Sequence, residues 1–210
     1  MFKLKREIMK NLLINPKISI DIQRKEVNDQ IDHALINWLI KNSYSPIVIS
    51  NKSLMLSKRK LYLFLKSLNI KGIILSGGND VKKKTLRYKS QVFLINFALK
   101  NKIPILGICQ GMQLMGVKFG SKLVKVKNHI RKNHKLINLS KEEFPKETNS
   151  YHQYSLKNCP KNFFITTKSL DGNIESIKHK VLPWEGWMWH PERDNKINKI
   201  NNLRLKKIFG

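Results

Sequence analysis

The chain of 210 residues has little cysteine, little acid and no long apolar run, and each shortage excludes something. Its two cysteines, Cys109 and Cys159, are too few for a disulfide framework, and neither they nor the histidines show the spacing of a closed zinc site. No metal and no cofactor is therefore expected. No apolar run approaches the roughly 20 residues of a membrane helix, and the basic first sixteen residues lack a signal peptide's apolar core and cleavage site. A cytoplasmic protein without membrane contact is the expectation. Acidic residues number 14 against 41 basic ones, giving a formal net charge of +27. Clustered cations bind nucleic acid by releasing counterions. Here, however, only 7 of the basic residues are arginine, and lysine, asparagine and isoleucine abound everywhere, as compositional bias would produce. There is no zinc-finger spacing and no RNP-type aromatic motif, so specific nucleic-acid binding is not expected. The charge would still steer small anions toward the protein.

The length suits one sizeable α/β domain. Residues 1–16 read as a basic N-terminal extension and 17–210 as a single domain. Lys17 to Ile22 alternates apolar and polar positions as a strand does, and Ile47 to Ile49 forms a second short strand. Between them, Ile31, Leu35, Trp38 and Leu39 recur at helical spacing within Asp29 to Lys41. Leu54 to Leu68 reads as a helix, Gly72 to Leu75 as a strand, Gln91 to Leu99 as a helix, Ile103 to Ile108 as a strand and Met112 to Phe119 as a helix. Strands alternating with helices predict a mostly parallel sheet covered on both faces, with ligands at the carboxyl ends of its strands. Beyond Gly120 come shorter runs, Leu123 to Val126, Leu136 to Leu139, Phe163 to Thr167, Ile174 to Ile177 and Gly186 to Trp189, expected as further strands, some antiparallel. Lys141 to Ser150 reads as a polar loop and Asn195 to Phe209 as a basic helix.

The chemistry centres on Gly107-Ile108-Cys109-Gln110-Gly111. An apolar strand breaks there into a GxCxG turn and then a helix, the pattern of a nucleophile elbow. Glycines on both sides permit the sharp turn that presents the middle side chain at the sheet edge, and a helix N-terminus suits an anionic sulfur. A buried structural cysteine would not need the glycines. A cysteine nucleophile needs a base, and the base an orienting acceptor. In Trp189-His190-Pro191-Glu192 the histidine follows a strand and proline restrains the backbone, so that Glu192 can turn back to His190. Oxyanion donors are available in the Gln110 N–H and in the turn Ser76-Gly77-Gly78-Asn79-Asp80, which could otherwise be an ordinary loop or a weak phosphate cradle.

Four ordered segments, Leu75 to Asp80, Gly107 to Gln113, Asn149 to Gln153 and Met188 to Arg193, resemble the motifs of class I glutamine amidotransferases. More narrowly they resemble the γ-glutamyl hydrolase branch, whose first strand is similar to Ile20-Asp21-Ile22-Gln23-Arg24. Asn128-His129 to His134, and Asn173 to Lys180, are similar to segments of the γ-glutamyl-CDP-amidate hydrolase group, which serves phosphoramidate decoration of surface polysaccharide. The resemblance covers residues 17 to 195. It implies a flavodoxin-like, mostly parallel sheet with additional antiparallel strands, and hydrolysis of a γ-glutamyl amide through a thioester on Cys109. His190 would shuttle the proton, Glu192 orient His190, and the Gly78 and Gln110 N–H groups hold the oxyanion. Gly77, Gln113, Ser150, Tyr151 and His152 would then approach the glutamyl group.

Two features depart from that branch. Many members carry Arg where this chain has Gln110, and an Arg-Asp pair where it has Arg87-Tyr88. The cations Lys82 to Lys84 and Arg87 could meet a diphosphate, but read better as a solvated charge run. Two alternatives to a free-standing hydrolase of a small γ-glutamyl amide remain: a glutaminase subunit feeding ammonia to a separate synthetase partner, and a basic nucleic-acid-binding protein on a degenerate scaffold.

Overall fold

In the computed structural model, residues 9–194 and 198–210 are described. In chain order the strands are β1 (Lys10–Asn15), β2 (Lys17–Asp21), β3 (Glu26–Gln30), β4 (Tyr44–Val48), β5 (Gly72–Leu75), β6 (Ile105–Ile108), β7 (Leu123–Lys125), β8 (Ile130–Asn138), β9 (Glu147–Tyr151), β10 (Tyr154–Leu156), β11 (Phe163–Ser169), β12 (Ile174–His179) and β13 (Trp184–Trp187). The helices are α1 (His33–Lys41), α2 (Lys58–Ser67), α3 (Leu86–Asn101), α4 (Gln110–Lys118) and α5 (Lys199–Phe209). Nine strands form one sheet in the order β4-β1-β5-β6-β13-β12-β11-β8-β9. The first five run parallel, and from β12 outward every pairing is antiparallel.

The parallel half is buried on both faces, as helical crossovers require. In β1, Leu13 packs into one apolar cluster with Leu65, Leu94 and Met112, while Leu12 and Ile14 pack into the other with Leu35, Leu39, Leu205 and Phe209. Helices α2, α3 and α4 thus cover one face, and α1 and α5 the other. Helix α5 is fastened by Arg204, whose guanidinium donates to both carboxylate oxygens of Glu185 at 2.6 and 3.2 Å and lies 3.6 Å from the Phe144 ring centre.

The expected fold class holds, but the sheet's first strand is not the one that the alternation predicts. The sheet begins with β1, inside the segment expected as a basic extension, whereas Lys17–Asp21 pairs only with β3 in a separate antiparallel hairpin. The physical reason is visible in the side chains. Leu12-Leu13-Ile14 is a continuous apolar run, as a strand covered on both faces needs. The alternation around Ile18 and Ile20 is that of a half-exposed ribbon, and Ile20 is open to solvent. Two further differences are smaller: β9 occupies the end of the expected loop Lys141 to Ser150, and the N-terminal part of the expected helix Asn195 to Phe209 lies at residues 195–197, outside the described residues.

Candidate active site

Cys109 is the turn between β6 and α4, with φ 49° and ψ −103°, a conformation L-residues rarely adopt. It persists because its surroundings leave no alternative. The Cys109 N–H donates to the Trp187 carbonyl at 2.7 Å, and its own carbonyl accepts from the Gln113 N–H at 3.0 Å. A side chain at Gly111 would overlap the Leu75 carbonyl, and one at Gly107 would meet the Gly111 backbone at 2.7 Å. Both glycines of the elbow are therefore steric requirements of packing α4 against β5 and β6.

Immediately after β13, His190 and Glu192 bring their side chains together, Nδ1 to Oε1 at 2.7 Å. The His190 backbone is held from both sides by Asn149, which accepts from its N–H at 2.9 Å and donates to its carbonyl at 2.7 Å. Burial alone would push the imidazole toward its neutral form. The Glu192 charge and hydrogen bond, together with the neighbouring Cys109 side chain, outweigh it and raise the His190 pKa to about 10. His190 and Glu192 are thus bonded to each other, with the Cys109 side chain close enough to bear on the imidazole's proton.

The second glycine turn faces the same place. A Cβ on Gly77 would come within 2.5 Å of the His190 ring, and Gly78 has φ +124°. The turn is fixed by Arg87, whose buried guanidinium donates to the Ser76 carbonyl at 2.7 Å and the Gly77 carbonyl at 2.9 Å. Arg87 is thereby no part of a solvated charge run. Its side chain reaches from α3 back under the turn, which local sequence spacing could not show. Asn79 ties the turn to the β2–β3 hairpin through reciprocal bonds with the Ile18 backbone, both at 2.8 Å. A cleft of about 380 Å³ opens here, lined by Gly77, Gly78, His190 and Glu192 together with Lys17 and Arg193.

The other candidate residues divide. Tyr151 stands edge-on to His190 with ring centres 5.7 Å apart, partly exposed, with the Arg193 guanidinium 5.0 Å from its ring centre. Its neighbours point the other way, as strand alternation dictates. Ser150 is buried with its hydroxyl on the His129 carbonyl, and His152 lies among His129 and Glu175. The Gln113 amide donates to the Tyr154 carbonyl at 2.8 Å, and the Gln110 side chain forms a reciprocal amide pair with Gln91. The side chains of Gln110, Gln113, Ser150 and His152 are therefore engaged inside the protein, whereas Asn149 holds the His190 backbone and Tyr151 stands beside its ring.

A parallel α/β sheet with a cysteine elbow at its carboxyl edge, beside a paired histidine and glutamate, defines the class of fold and site. Residues 25–208 match the family described as glutamine amidotransferase class-I. The γ-glutamyl-CDP-amidate hydrolase of Campylobacter jejuni is 38% identical over 143 residues, 64% of this chain and 68% of that one. A glutamine-hydrolysing GMP synthase subunit of Methanococcus aeolicus is 33% identical over 148 residues, 67% of this chain and 75% of that one. In fold, a crystal structure described as that of a GMP synthase subunit protein from Thermoplasma acidophilum is similar, with a TM-score of 0.70 at 20% identity over 96% of this chain and 93% of that one. The chain belongs to the class I glutamine amidotransferase family, and its reaction class is hydrolysis of a C–N amide bond.

Proposed function

We propose that the protein hydrolyses a γ-glutamyl amide through a thioester on Cys109. The observation that carries this reading is the His190–Glu192 pair, bonded at 2.7 Å, beside Cys109 at the elbow. The Cys109 sulfur attacks the γ-carbonyl carbon, and the carbonyl oxygen gathers negative charge within reach of the Gly78 and Gln110 N–H groups. His190 protonates the departing nitrogen as the C–N bond breaks, leaving a γ-glutamyl thioester and a free amine or amidate. Water then attacks the thioester carbon while His190 takes its proton, and the C–S bond breaks to give glutamate and the original cysteine. Glu192 keeps the imidazole oriented throughout.

The cleft carries charges of both signs: Lys17 stands beside the glycine turn, while Arg193 is paired with Asp32 at 3.0 Å and Glu192 lines the same space. Likeness to the γ-glutamyl-CDP-amidate hydrolase supports a nucleotide amidate as the leaving group, as in phosphoramidate decoration of surface polysaccharide. Likeness to GMP synthase subunits supports a second reading, a glutaminase that passes ammonia to a synthetase. Assaying glutamate release from γ-glutamyl-CDP-amidate, γ-glutamyl polyamines and glutamine separates them. Turnover of the amidate by the isolated protein is the expected result. Activity on glutamine alone, arising only when a synthetase is added, would overturn it in favour of the second reading.

A further inference from the structure

Behind Tyr151, on the inward side of β9, lie three donor atoms that the chemistry above does not use. His129 Nδ1 and His152 Nε2 are 3.3 Å apart, and each is 3.5 Å from Glu175 Oε1. All three residues are buried, and among the described residues neither Glu175 oxygen has a hydrogen-bond partner. An unpartnered carboxylate in such a place is costly.

The outer nitrogens of the two rings define what the inner ones carry. His129 Nε2 sits 2.8 Å from the Asp171 carboxylate, with the Asn173 amide a weaker neighbour at 3.4 Å, and His152 Nδ1 sits 3.1 Å from the Tyr154 carbonyl. Both acceptors call for an N–H on the outer nitrogen. In a neutral ring the inner nitrogen then holds a lone pair. With both rings neutral, two lone pairs and a carboxylate oxygen converge on one point, and a positive charge is needed there: either a proton on His129, which the facing Glu175 carboxylate favours, or a metal cation that takes its place.

Its dimensions fit a particular kind of cation. Ligands about 2.0–2.2 Å from a tetrahedral zinc ion stand about 3.3–3.6 Å from one another, which is the spacing of this triangle. The outer bonds, one to a carboxylate and one to a backbone carbonyl, are the supports that metal-binding histidines use. Two imidazoles and a carboxylate also suit zinc by ligand type.

We propose that His129 Nδ1, His152 Nε2 and Glu175 bind a divalent transition-metal ion of the zinc class. The second Glu175 oxygen, equally unpartnered, is at hand as a further donor. The ion ties the residue before β8, the residue after β9 and the interior of β12 to one point. It thereby holds Tyr151, the residue before His152, against His190. Its role is to position, since no ligand touches the reacting sulfur.

The test uses the full chain carrying Cys109→Ser and Cys159→Ser, which removes both thiols as competing ligands. After chelation and dialysis, titration with Co²⁺ should give visible ligand-field bands saturating at one ion per chain and displaced by Zn²⁺. His152→Ala and Glu175→Gln should abolish the bands, and Asp171→Asn should weaken affinity about 10–100-fold, as loss of a supporting carboxylate does elsewhere. If those variants fail to fold, X-ray absorption on zinc-loaded protein with Cys109 intact decides instead. A nitrogen and oxygen shell containing two imidazoles supports the site, whereas sulfur in the shell places the metal at a cysteine and overturns it. Absence of stoichiometric binding, with thermal stability unchanged by chelator, also overturns the proposal, leaving a protonated histidine to neutralise Glu175.

Discussion

At His190, burial and charge pull in opposite directions, and charge prevails. The folded imidazole holds its proton to about pH 10, against 6.5 for the ordinary group. A proton held more tightly when folded stabilises the fold, so this contribution is fully present below about pH 6.5 and is lost as pH rises toward 10. Thermal melts from pH 6 to 10 should therefore fall in Tm across that window, and the fall should shrink in Glu192→Gln, which removes the principal charge sustaining the proton. Cys109→Ala should lose hydrolysis altogether while retaining native circular dichroism. Glu192→Gln should retain residual turnover, because in the proposed mechanism Glu192 orients the base and does not react. Comparable single-turnover rates in Cys109→Ala and the parent protein would refute the nucleophile.

Elements, and the turns between them, fix where these residues stand. Arg87 on α3 holds the Ser76-Gly77 carbonyls, so Arg87→Met should leave that turn unsupported and lower kcat by about 10–1,000-fold, the upper end being the loss of an oxyanion donor. Arg204 and Glu185 fasten α5 to the sheet as a buried ion pair, and Arg204→Ala should destabilise the fold by about 3–5 kcal/mol in urea titration. A loss below about 1 kcal/mol would mean that apolar packing alone carries α5.

Much of the site is legible in the sequence because its signals are local. The elbow is five consecutive residues, and His190 and Glu192 are two apart. Arg87 escapes because its partners lie one loop away at Ser76 and Gly77, and a charged residue after three lysines resembles solvated surface. His129, His152 and Glu175 share no spacing pattern, since β8, β9 and β12 bring them together only through long-range sheet topology. β1 is hidden for a related reason: a strand buried on both faces shows no alternation, and the hairpin's more regular alternation looks more strand-like.

For the molecule as a whole, the +27 charge is a field as well as a composition. At the cleft Lys17 adds to that field, while Arg193 is paired with Asp32. For an anionic γ-glutamyl amidate, kcat/KM should fall steeply as salt rises from low ionic strength to about 0.15 M, where the Debye length shortens to about 8 Å. For glutamine, without net charge, it should change little. Equal salt dependence for both substrates would show that the field plays no part in capture.

The backbone at Cys109 carries a final consequence. A β-carbon at φ 49° and ψ −103° costs about 1–3 kcal/mol, which glycine would not incur. Cys109→Gly should therefore melt at a higher temperature than Cys109→Ala, though neither has a sulfur. Selection for the reaction and selection for durability oppose each other at this one position. A copy of the gene released from the first would gain robustness by discarding its nucleophile.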